Sequence, residues 1–173
     1  MTGSDEYIRM WFEPVISQIK FDCQSKYDMG DAKWFPLNSG GDFRKWYGNN
    51  TKIVNLWNDG AEIKANVKNY RLRDPAYYFR RGITWGRITS SQIAFREVVD
   101  GSLFGDAGPI GFIEDKRHYV LGFLCSNVVT SLLQITNPTL NFQVHDIMAL
   151  PLIESPNKEN NIENLQNILD NFA

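Results

Sequence analysis

Residues 40–50 bring together, in one short segment, the side-chain types that contact nucleic acid. Gly40 and Gly41 let the backbone come close to a partner, and Arg44 and Lys45 supply positive charges for phosphate groups. Aromatic residues lie beside them and could stack on bases, so the pattern favours nucleic-acid binding. The alternative, a glycine turn followed by aromatic core residues, is at least as common.

A second basic stretch begins at Arg80 and continues past residue 90, where short polar residues follow the arginines. Guanidinium groups bind phosphates or pair with guanine, and hydroxyl and amide side chains can contact base edges. Both segments, with Lys64 between them, give the candidate DNA contacts: Arg44, Lys45, Lys64, Arg80, Arg81, Arg87, Ser90, Ser91, Gln92 and Arg96. The alternative is that the arginines form ordinary surface salt bridges.

Both segments lie in a basic part of an otherwise acidic chain. Between Lys33 and Arg96, twelve lysines and arginines are accompanied by four acidic residues, a net charge of +8, whereas the other residues sum to −10 and the whole chain to −2. If this division maps onto opposite faces of the fold, the basic face attracts a phosphate backbone. Sequence segments need not map onto faces, so both outcomes stay open at this point.

The sequence contains no complete set of catalytic residues. Methyltransferases that modify amino groups of bases place Asn or Asp, two prolines and an aromatic residue at the target, but Asp74–Tyr77 and Asn137–Leu140 lack the second proline. The glycine-rich loop that binds S-adenosylmethionine is missing too. We therefore expect no methyl transfer by this chain alone and no cofactor bound to it.

A magnesium-dependent nuclease is a weaker alternative. Asp42, Glu62 and Lys64 resemble the Asp, Glu and Lys set that holds magnesium and supports the attacking water in restriction nucleases. A Glu-x-Lys triplet is common on helix surfaces, however, and the histidines and cysteines lack the spacing of zinc ligands. We expect neither a metal site nor DNA cleavage.

Hydrophobic patterning predicts an α+β fold in which short strands come first and helices come late. A twisted, mostly antiparallel sheet is expected from the apolar runs at 8–12, 34–37, 53–57, 83–85, 93–95, 103–104, 110–113 and 142–147. A short helix is expected over residues 61–68, after the turn Asn58-Asp59-Gly60. Apolar spacing predicts one continuous helix from about His118 to Gln134 and an amphipathic helix after Pro156.

The composition is that of an ordinary globular domain, with 43% hydrophobic and 22% charged residues. No apolar run approaches the roughly 20 residues that span a membrane, and the N-terminus lacks the features of a signal peptide. We therefore expect a cytoplasmic protein without a membrane partner, in which Cys23 and Cys125 are free thiols.

Several longer strings occur in a fixed order along the chain. They include Arg9–Glu13, Lys33–Asn38, Gly40–Asn49, Asn58–Lys64, Tyr77–Phe79, Gly82–Trp85, Leu121–Ser126 and Asn137–Val144. From Thr2 to about Pro151 they resemble the region that follows the catalytic domain in phage-exclusion (BREX) type adenine methyltransferases, the PglX family. The chain departs from that family at Ser4-Asp5-Glu6, where Asp-Asn is expected, and at His145, where glycine is expected.

The resemblance implies a target recognition domain over residues 1–154, similar to the specificity domains of type I and type IIG restriction-modification enzymes, with a C-terminal helix over 155–173. Such domains bind double-stranded DNA and read base edges, while a separate methyltransferase domain uses S-adenosylmethionine to methylate adenine. Because the match begins abruptly at Thr2, we expect the chain to be a fragment, or a truncated reading frame, of a longer methyltransferase.

These observations predict sequence-specific recognition of double-stranded DNA in restriction-modification or phage defence, without catalytic activity in this chain. The second hypothesis is a protein-interaction module of a phage-defence complex, with a docking patch formed by Trp34, Trp46, Trp57 and Trp85. Buried tryptophans and one contiguous basic groove favour DNA. An exposed aromatic patch with scattered arginines favours a protein partner.

Overall fold

The computed structural model describes residues 5–89, 92–153 and 155–170, with the backbone alone described for residues 5, 163 and 165–170. In that part of the chain the strands are β1 (Ile8–Met10), β2 (Trp34–Asn38), β3 (Lys52–Asn55), β4 (Gly82–Trp85), β5 (Phe95–Val98), β6 (Leu103–Phe104) and β7 (Ile110–Gly111). The helices are α1 (Trp57–Asn66), α2 (Arg117–Leu124), α3 (Asn127–Thr136), α4 (Val144–Met148) and α5 (Pro156–Asp170). Short 3₁₀ helices lie at Asp5–Tyr7, Ile16–Gln18, Lys26–Asp28 and Pro75–Tyr77. The predicted α+β class is confirmed.

The first sheet has the strand order β1-β3-β2-β6 and is antiparallel except for the β2–β6 pair. In β2 the alternate residues Phe35 and Leu37 are buried, as expected for a sheet with one covered face. Phe35 lies opposite Val54 of β3, and Leu37 lies opposite Leu103 of β6. These side chains belong to the first core, which also contains Ile63 of α1.

The second sheet is antiparallel, with the order β5-β4-β7. All four residues of the central strand β4 are buried. Ile83 and Trp85 of this strand belong to the second core, together with Leu121 of α2 and Val129 of α3. Burial of each such side chain contributes roughly 1.5–3 kcal/mol, so the second core fixes the helices against β4.

A buried hydrogen bond joins the two sheets. Asn38 Nδ2, at the end of β2, donates to Thr84 Oγ1 of β4 at 2.6 Å and also reaches the carbonyl oxygen of Gly108 at 3.2 Å. The strands expected in one sheet therefore divide between two sheets with separate cores. Alternation of apolar residues identifies a strand but does not specify which neighbour it pairs with.

The continuous helix predicted over residues 118–134 is wrong. α2 ends at Leu124 and α3 begins at Asn127, with a bend of 64° between them. Ser126 is the N-cap of α3, and its hydroxyl oxygen accepts a hydrogen bond from the Val129 N–H at 3.4 Å. Apolar spacing continues across the break, so periodicity by itself did not reveal it.

The strand expected over residues 142–147 is also wrong, because Val144–Met148 form α4. A capping box begins this helix, in which the Asp146 carboxylate accepts a hydrogen bond from the Gln143 N–H at 2.7 Å. Over so short a segment, apolar spacing fits a strand or a helical turn equally well. The spacing of Gln143 and Asp146 was the available signal for a helix start.

Other predicted elements are confirmed, with shifts of a few residues at their ends. The turn at Asn58-Asp59-Gly60 has three consecutive left-handed residues, with φ of 49°, 56° and 73°, before α1 continues to Asn66. β5 begins at Phe95 rather than at Ile93, and α5 follows Ser155 as expected. No single helix of the described residues is long and apolar enough to cross a membrane, and α2 with α3 passes that test only as a bent pair.

Candidate nucleic-acid interface

The candidate arginines of the second basic stretch divide between the two ends of β4. Arg80 and Arg81 precede Gly82, and Arg87 follows Trp85 by two residues. A strand of four residues is about 13 Å long. The two groups therefore lie at separate places on the protein.

At the C-terminal end of β4, the two segments identified separately in the sequence come together. A depression of about 310 Å³ is lined by Gly41, Gly86, Arg87, Ile88, Asp106 and Ala107. A smaller adjoining depression is lined by Gly41, Asp42, Phe43, Gly86, Ile88, Thr89, Gln92, Ala94 and Arg96. We call the combined surface the β4 cleft. Neither segment lines it alone.

Residues 40–49, here called the glycine–aromatic loop, are held in one conformation by contacts within the loop. Gly48 has φ of 125°, and a Cβ at that position would lie 2.7 Å from Arg44 Cδ. Asn49 Nδ2 donates to the carbonyl oxygen of Asp42 at 2.8 Å and closes the loop. Glycine is favoured at position 48 because other residues rarely adopt this positive φ, whereas the exposed Arg44 side chain could move away from a Cβ.

Trp46 attaches the glycine–aromatic loop to β5. Its N–H donates to the Phe95 carbonyl oxygen at 2.9 Å, and its own carbonyl oxygen accepts from the Glu97 N–H at 2.9 Å. With φ of 74°, Trp46 adopts the left-handed conformation that residues other than glycine rarely adopt. The residue is 53% exposed, so its backbone is fixed while its side chain is accessible.

Arg96, a predicted contact, lies beneath the loop rather than on the surface. It is 1% exposed, its guanidinium donates to the Gly40 carbonyl oxygen at 3.3 Å, and its Nε has no hydrogen-bond partner among the described residues. Burial lowers the pKa of this guanidinium. A buried side chain cannot contact a phosphate, so Arg96 supports the loop and leaves the set of proposed contacts.

Lys45 is a second predicted contact that the fold uses internally. Its Nζ donates to the Cys125 carbonyl oxygen at 2.8 Å, at the end of α2, where a cation satisfies a carbonyl that has no helical partner. The Cys125 thiol is buried and donates to the Phe95 carbonyl oxygen at 3.3 Å, and burial raises its pKa. This corner joins the glycine–aromatic loop to the second core.

At the N-terminal end of β4 the arginines are already paired. Arg81 Nε lies 2.7 Å from Asp100 Oδ2, and Arg80 Nη2 lies 2.8 Å from Glu114 Oε1. The Arg80 guanidinium also lies over the Phe112 ring, 5.0 Å from its centroid. Because β5 and β7 run antiparallel to β4, the residues that follow them lie beside the start of β4.

The wider basic segment is neutralised in the same way. Five of its twelve cations form ion pairs with described residues: Lys33 with Glu62, Lys64 with Asp59, Arg73 with Asp106, Arg80 with Glu114, and Arg81 with Asp100. Three of these acidic partners come from residues 100–114, outside the basic segment. The net charge of the segment therefore does not become one uninterrupted basic face.

Ser90 and Ser91, also predicted contacts, lie outside the described residues.

Arg87 and Gln92 are predicted contacts that line the β4 cleft, and Arg44 follows Phe43, which also lines it. Arg44 and Gln92 are exposed and Arg87 is half-buried, and within the described ranges neither arginine side chain forms a hydrogen bond or an ion pair. Phe43 and Ile88 lie at the same cleft and are 51% and 69% exposed. The sequence carried no separate signal for these two apolar residues beyond their position next to Arg44 and Arg87.

The tryptophans do not form the single docking patch of the second hypothesis. Trp85 is 2% exposed and its indole N–H donates to the Phe142 carbonyl oxygen at 3.0 Å. Trp34 is half-buried in β2, and Trp57 is exposed at the start of α1. An apolar groove of about 350 Å³ is instead lined by residues of β4, β7, α2 and α4, including Met148 of α4, which is 81% exposed.

The strings considered for catalysis make structural hydrogen bonds. Asp74 Oδ1 accepts from the Ala76 N–H at 2.9 Å, and Asn137 Nδ2 donates to a backbone carbonyl oxygen at 3.0 Å. Glu62, of the nuclease-like set, accepts from Asn55 Nδ2 at 2.8 Å. Among the residues that the structure describes, no group of three His, Cys, Asp or Glu side chains could hold a metal ion.

Comparison with known proteins finds that this chain is similar to adenine-specific methyltransferases. No protein-family model matches it. The chain is 34% identical over 165 residues to the adenine-specific methyltransferase BrxX of Escherichia coli O9:H4 (strain HS), across 93% of this chain and 13% of that protein. It is 36% identical over 160 residues to the adenine-specific methyltransferase PglX of Lacticaseibacillus casei (strain Zhang), across 87% of this chain and 13% of that protein. The chain thus spans a small part of the length of these curated relatives. Over most of its own length, it is similar to one segment of adenine-specific methyltransferases.

Proposed function

We propose that this chain is the DNA-recognition part of a phage-exclusion adenine-specific DNA methyltransferase, and that it binds double-stranded DNA at the β4 cleft. Arg44 and Arg87 contact phosphates or guanine, and Gln92, with Ser90 and Ser91, contacts base edges. S-adenosylmethionine and the residues that transfer the methyl group belong to other parts of the parent enzyme.

One observation carries the proposal, the convergence of two basic segments on the β4 cleft. Gly41 and Phe43 come from the first segment, and Arg87 and Gln92 come from the second, almost 50 residues later. The fold thus places the Arg87 guanidinium, the exposed Gln92 amide and apolar side chains on one concave surface, and Arg44 follows Phe43 in the loop that borders it. This combination suits phosphates, base edges and thymine methyl groups.

The single acidic side chain of the first segment is compatible with this assignment. Asp42 borders the cleft, and a carboxylate repels phosphates but accepts a hydrogen bond from the amino group of cytosine. We therefore expect Asp42 to influence which bases are preferred rather than to increase affinity. Asp106, the other acid at the cleft, is paired with Arg73.

The test measures affinity for labelled duplexes by fluorescence anisotropy across a salt series. The double variant Arg44→Glu, Arg87→Glu should weaken binding to every duplex and reduce the slope of log affinity against log salt by about 1.8, since each phosphate contact contributes about 0.9. The matched control is Arg9→Glu, Lys52→Glu, which makes the same charge change at two exposed residues. Arg9 and Lys52 lie on β1 and β3 of the first sheet. The cleft residues Asp106 and Ala107 instead follow β6, at the opposite edge of that sheet from β1.

The control should retain most of the slope, because its charges act on DNA only at long range. An equal loss of slope in both double variants would contradict the β4 cleft as the binding surface. Folding of each variant is checked by circular dichroism, and surface substitutions of this kind are expected to change stability by less than about 0.5 kcal/mol each.

Base recognition is tested separately with Gln92→Ala. The wild-type chain first selects a preferred duplex from a random-sequence library. Loss of a bidentate contact from Gln92 to adenine should narrow the free-energy gap between preferred and random duplex by roughly 1–3 kcal/mol, with the salt slope unchanged. An unchanged gap would remove Gln92 from the residues that contact bases.

Protein docking remains the second candidate function, because the apolar groove beside Met148 is open in this chain. The same titration distinguishes the two candidates. If the folded wild-type chain binds no duplex even at low salt, the DNA proposal fails and docking of a protein segment in the apolar groove becomes the better assignment.

A further inference from the structure

We propose that the glycine–aromatic loop stacks an unpaired nucleobase on its exposed rings, so that this surface binds opened DNA more tightly than a regular duplex. The rings are those of Phe43, Trp46 and Tyr47. The inference rests on the proposed function and specifies the form of DNA that the same surface prefers.

The first observation is the exposure of three aromatic residues within five positions. Phe43, Trp46 and Tyr47 are 51%, 53% and 62% exposed. Within the described part of the chain none of these rings contacts another ring, whereas core rings such as Trp85 and Phe95 are paired at 6.0 Å. Apolar surface stabilises a fold only when it is removed from water, so the exposed part of each of these rings does not contribute to the protein's own stability.

The second observation is that the loop is ordered by polar contacts and not by the rings. The Trp46 backbone pairs with β5, the Asn49 side chain closes the loop on Asp42, and Arg96 binds the Gly40 carbonyl from below. A surface that is already ordered loses less conformational entropy when it binds a ligand. The rings can also be replaced while these contacts are kept.

The third observation is the charge around the rings, which favours a nucleic acid over an apolar protein segment. Arg44 lies between Phe43 and Trp46 in the loop, and Arg87 lines the adjoining part of the β4 cleft. Guanidinium groups hold the phosphates that flank a stacked base, and every base has a face that stacks on aromatic side chains. In a regular duplex, neighbouring base pairs cover those faces, so an unpaired base is the ligand that fits.

The experiment compares three labelled DNAs of one sequence by anisotropy: a paired duplex, the same duplex with three central mismatches, and the single strand. The wild-type chain should bind the mismatched duplex at least about fivefold more tightly than the paired duplex, the factor expected for one stacked base. If the single strand binds equally well, any unpaired base suffices. If it binds less well, flanking duplex is also needed, and both results support the proposal.

The variant Phe43→Ala, Trp46→Ala, Tyr47→Ala should bind the mismatched and the paired duplex equally, with an unchanged salt slope. Its matched control is Phe12→Ala, Tyr27→Ala, which removes two rings that are 64% and 96% exposed elsewhere. The control should retain the preference. Should the triple variant fail to fold, Trp46→Phe should keep the preference and Trp46→Leu should lower it, since only the first retains a ring.

Equal binding of mismatched and paired duplex by the wild-type chain would overturn the inference, and so would a preference that survives loss of the rings. The proposed function fails differently, through loss of all DNA binding or through a salt slope that does not depend on Arg44 and Arg87. Absence of any DNA binding overturns both.

Discussion

The two ends of β4 carry arginines in similar sequence surroundings, yet they present different chemistry to solvent. At the N-terminal end, Arg80 and Arg81 pair with Glu114 and Asp100 at 2.8 and 2.7 Å. At the C-terminal end, Arg87 has no ion-pair partner within the described residues and lines the β4 cleft. The two ends therefore differ in the positive charge that is available for a ligand.

The register of the second sheet explains the difference. Gly82 lies opposite Val98, so the residues that follow β5 lie beside the start of β4, and β7 is arranged in the same way. The chain places Asp100 and Glu114 shortly after these strands. The residues that precede β5 and β7 lie at the other end, where the acid, Asp106, is paired with an arginine of another segment.

The largest expected effect is on the free energy of unfolding, at the buried Arg96 of β5, which lies at neither end of β4. Arg96→Glu should lower the free energy of unfolding by about 4 kcal/mol or more, because a buried carboxylate would face the Gly40 carbonyl oxygen without a donor. Arg87→Glu, on the surface, should change it by less than about 0.5 kcal/mol. Urea unfolding followed by circular dichroism measures both. A similar midpoint for Arg96→Glu and wild type would mean that this side chain reaches solvent.

A smaller effect is expected at the paired end of β4. Arg80→Ala, Arg81→Ala should cost about 1–2 kcal/mol of stability, from two surface ion pairs and the two cation–π contacts of Arg80 with Tyr77 and Phe112. The Arg80→Ala, Arg81→Ala variant should reduce the DNA salt slope by well below the value of about 1.8 expected for the variant of Arg44 and Arg87. The reason is that acidic partners already neutralise Arg80 and Arg81. If both double variants reduced the slope equally, the arginines at the two ends of β4 would be equally available to DNA.

The smallest effect concerns Tyr78, which lies just before the paired end. Its hydroxyl is buried without a hydrogen-bond partner among the described residues, and burial raises its pKa to about 12. Tyr78→Phe should therefore stabilise the fold by about 1 kcal/mol at pH 8, because an unsatisfied polar group is removed. Tyr77→Phe is the matched control, since that ring is 44% exposed.

The pH dependence has a defined sign. Above about pH 10 an unfolded tyrosine loses its proton, whereas folded Tyr78 keeps it until about pH 12. The stability of the wild-type protein should therefore decrease as the pH rises from 10 to 12, and Tyr78→Phe should lose less over that interval. Urea unfolding at pH 8 and pH 11 compares the two proteins. Parallel losses would show that the hydroxyl is hydrated in the folded state.

The sequence alone determined the fold class and most of the strands. Alternation in β2 and the apolar residues of β4 are local patterns, which can be recognised in the sequence without knowing which strands pair. The basic and aromatic residues of the glycine–aromatic loop were also evident, as was the resemblance to methyltransferases. Where two structures share one pattern, as in the segment that forms α4, the sequence did not decide between them.

The tertiary structure alone decided which of the predicted contacts can meet a ligand. Arg96 became a buried support, Lys45 became a contact at the end of α2, and Arg80 and Arg81 received acidic partners from beyond residue 99. Strand pairing brings together residues that are far apart in the chain. Apolar spacing does not specify which strands pair or in which register. The charge of each side chain is thus set by the sequence, whereas its availability depends on which neighbours the fold places beside it.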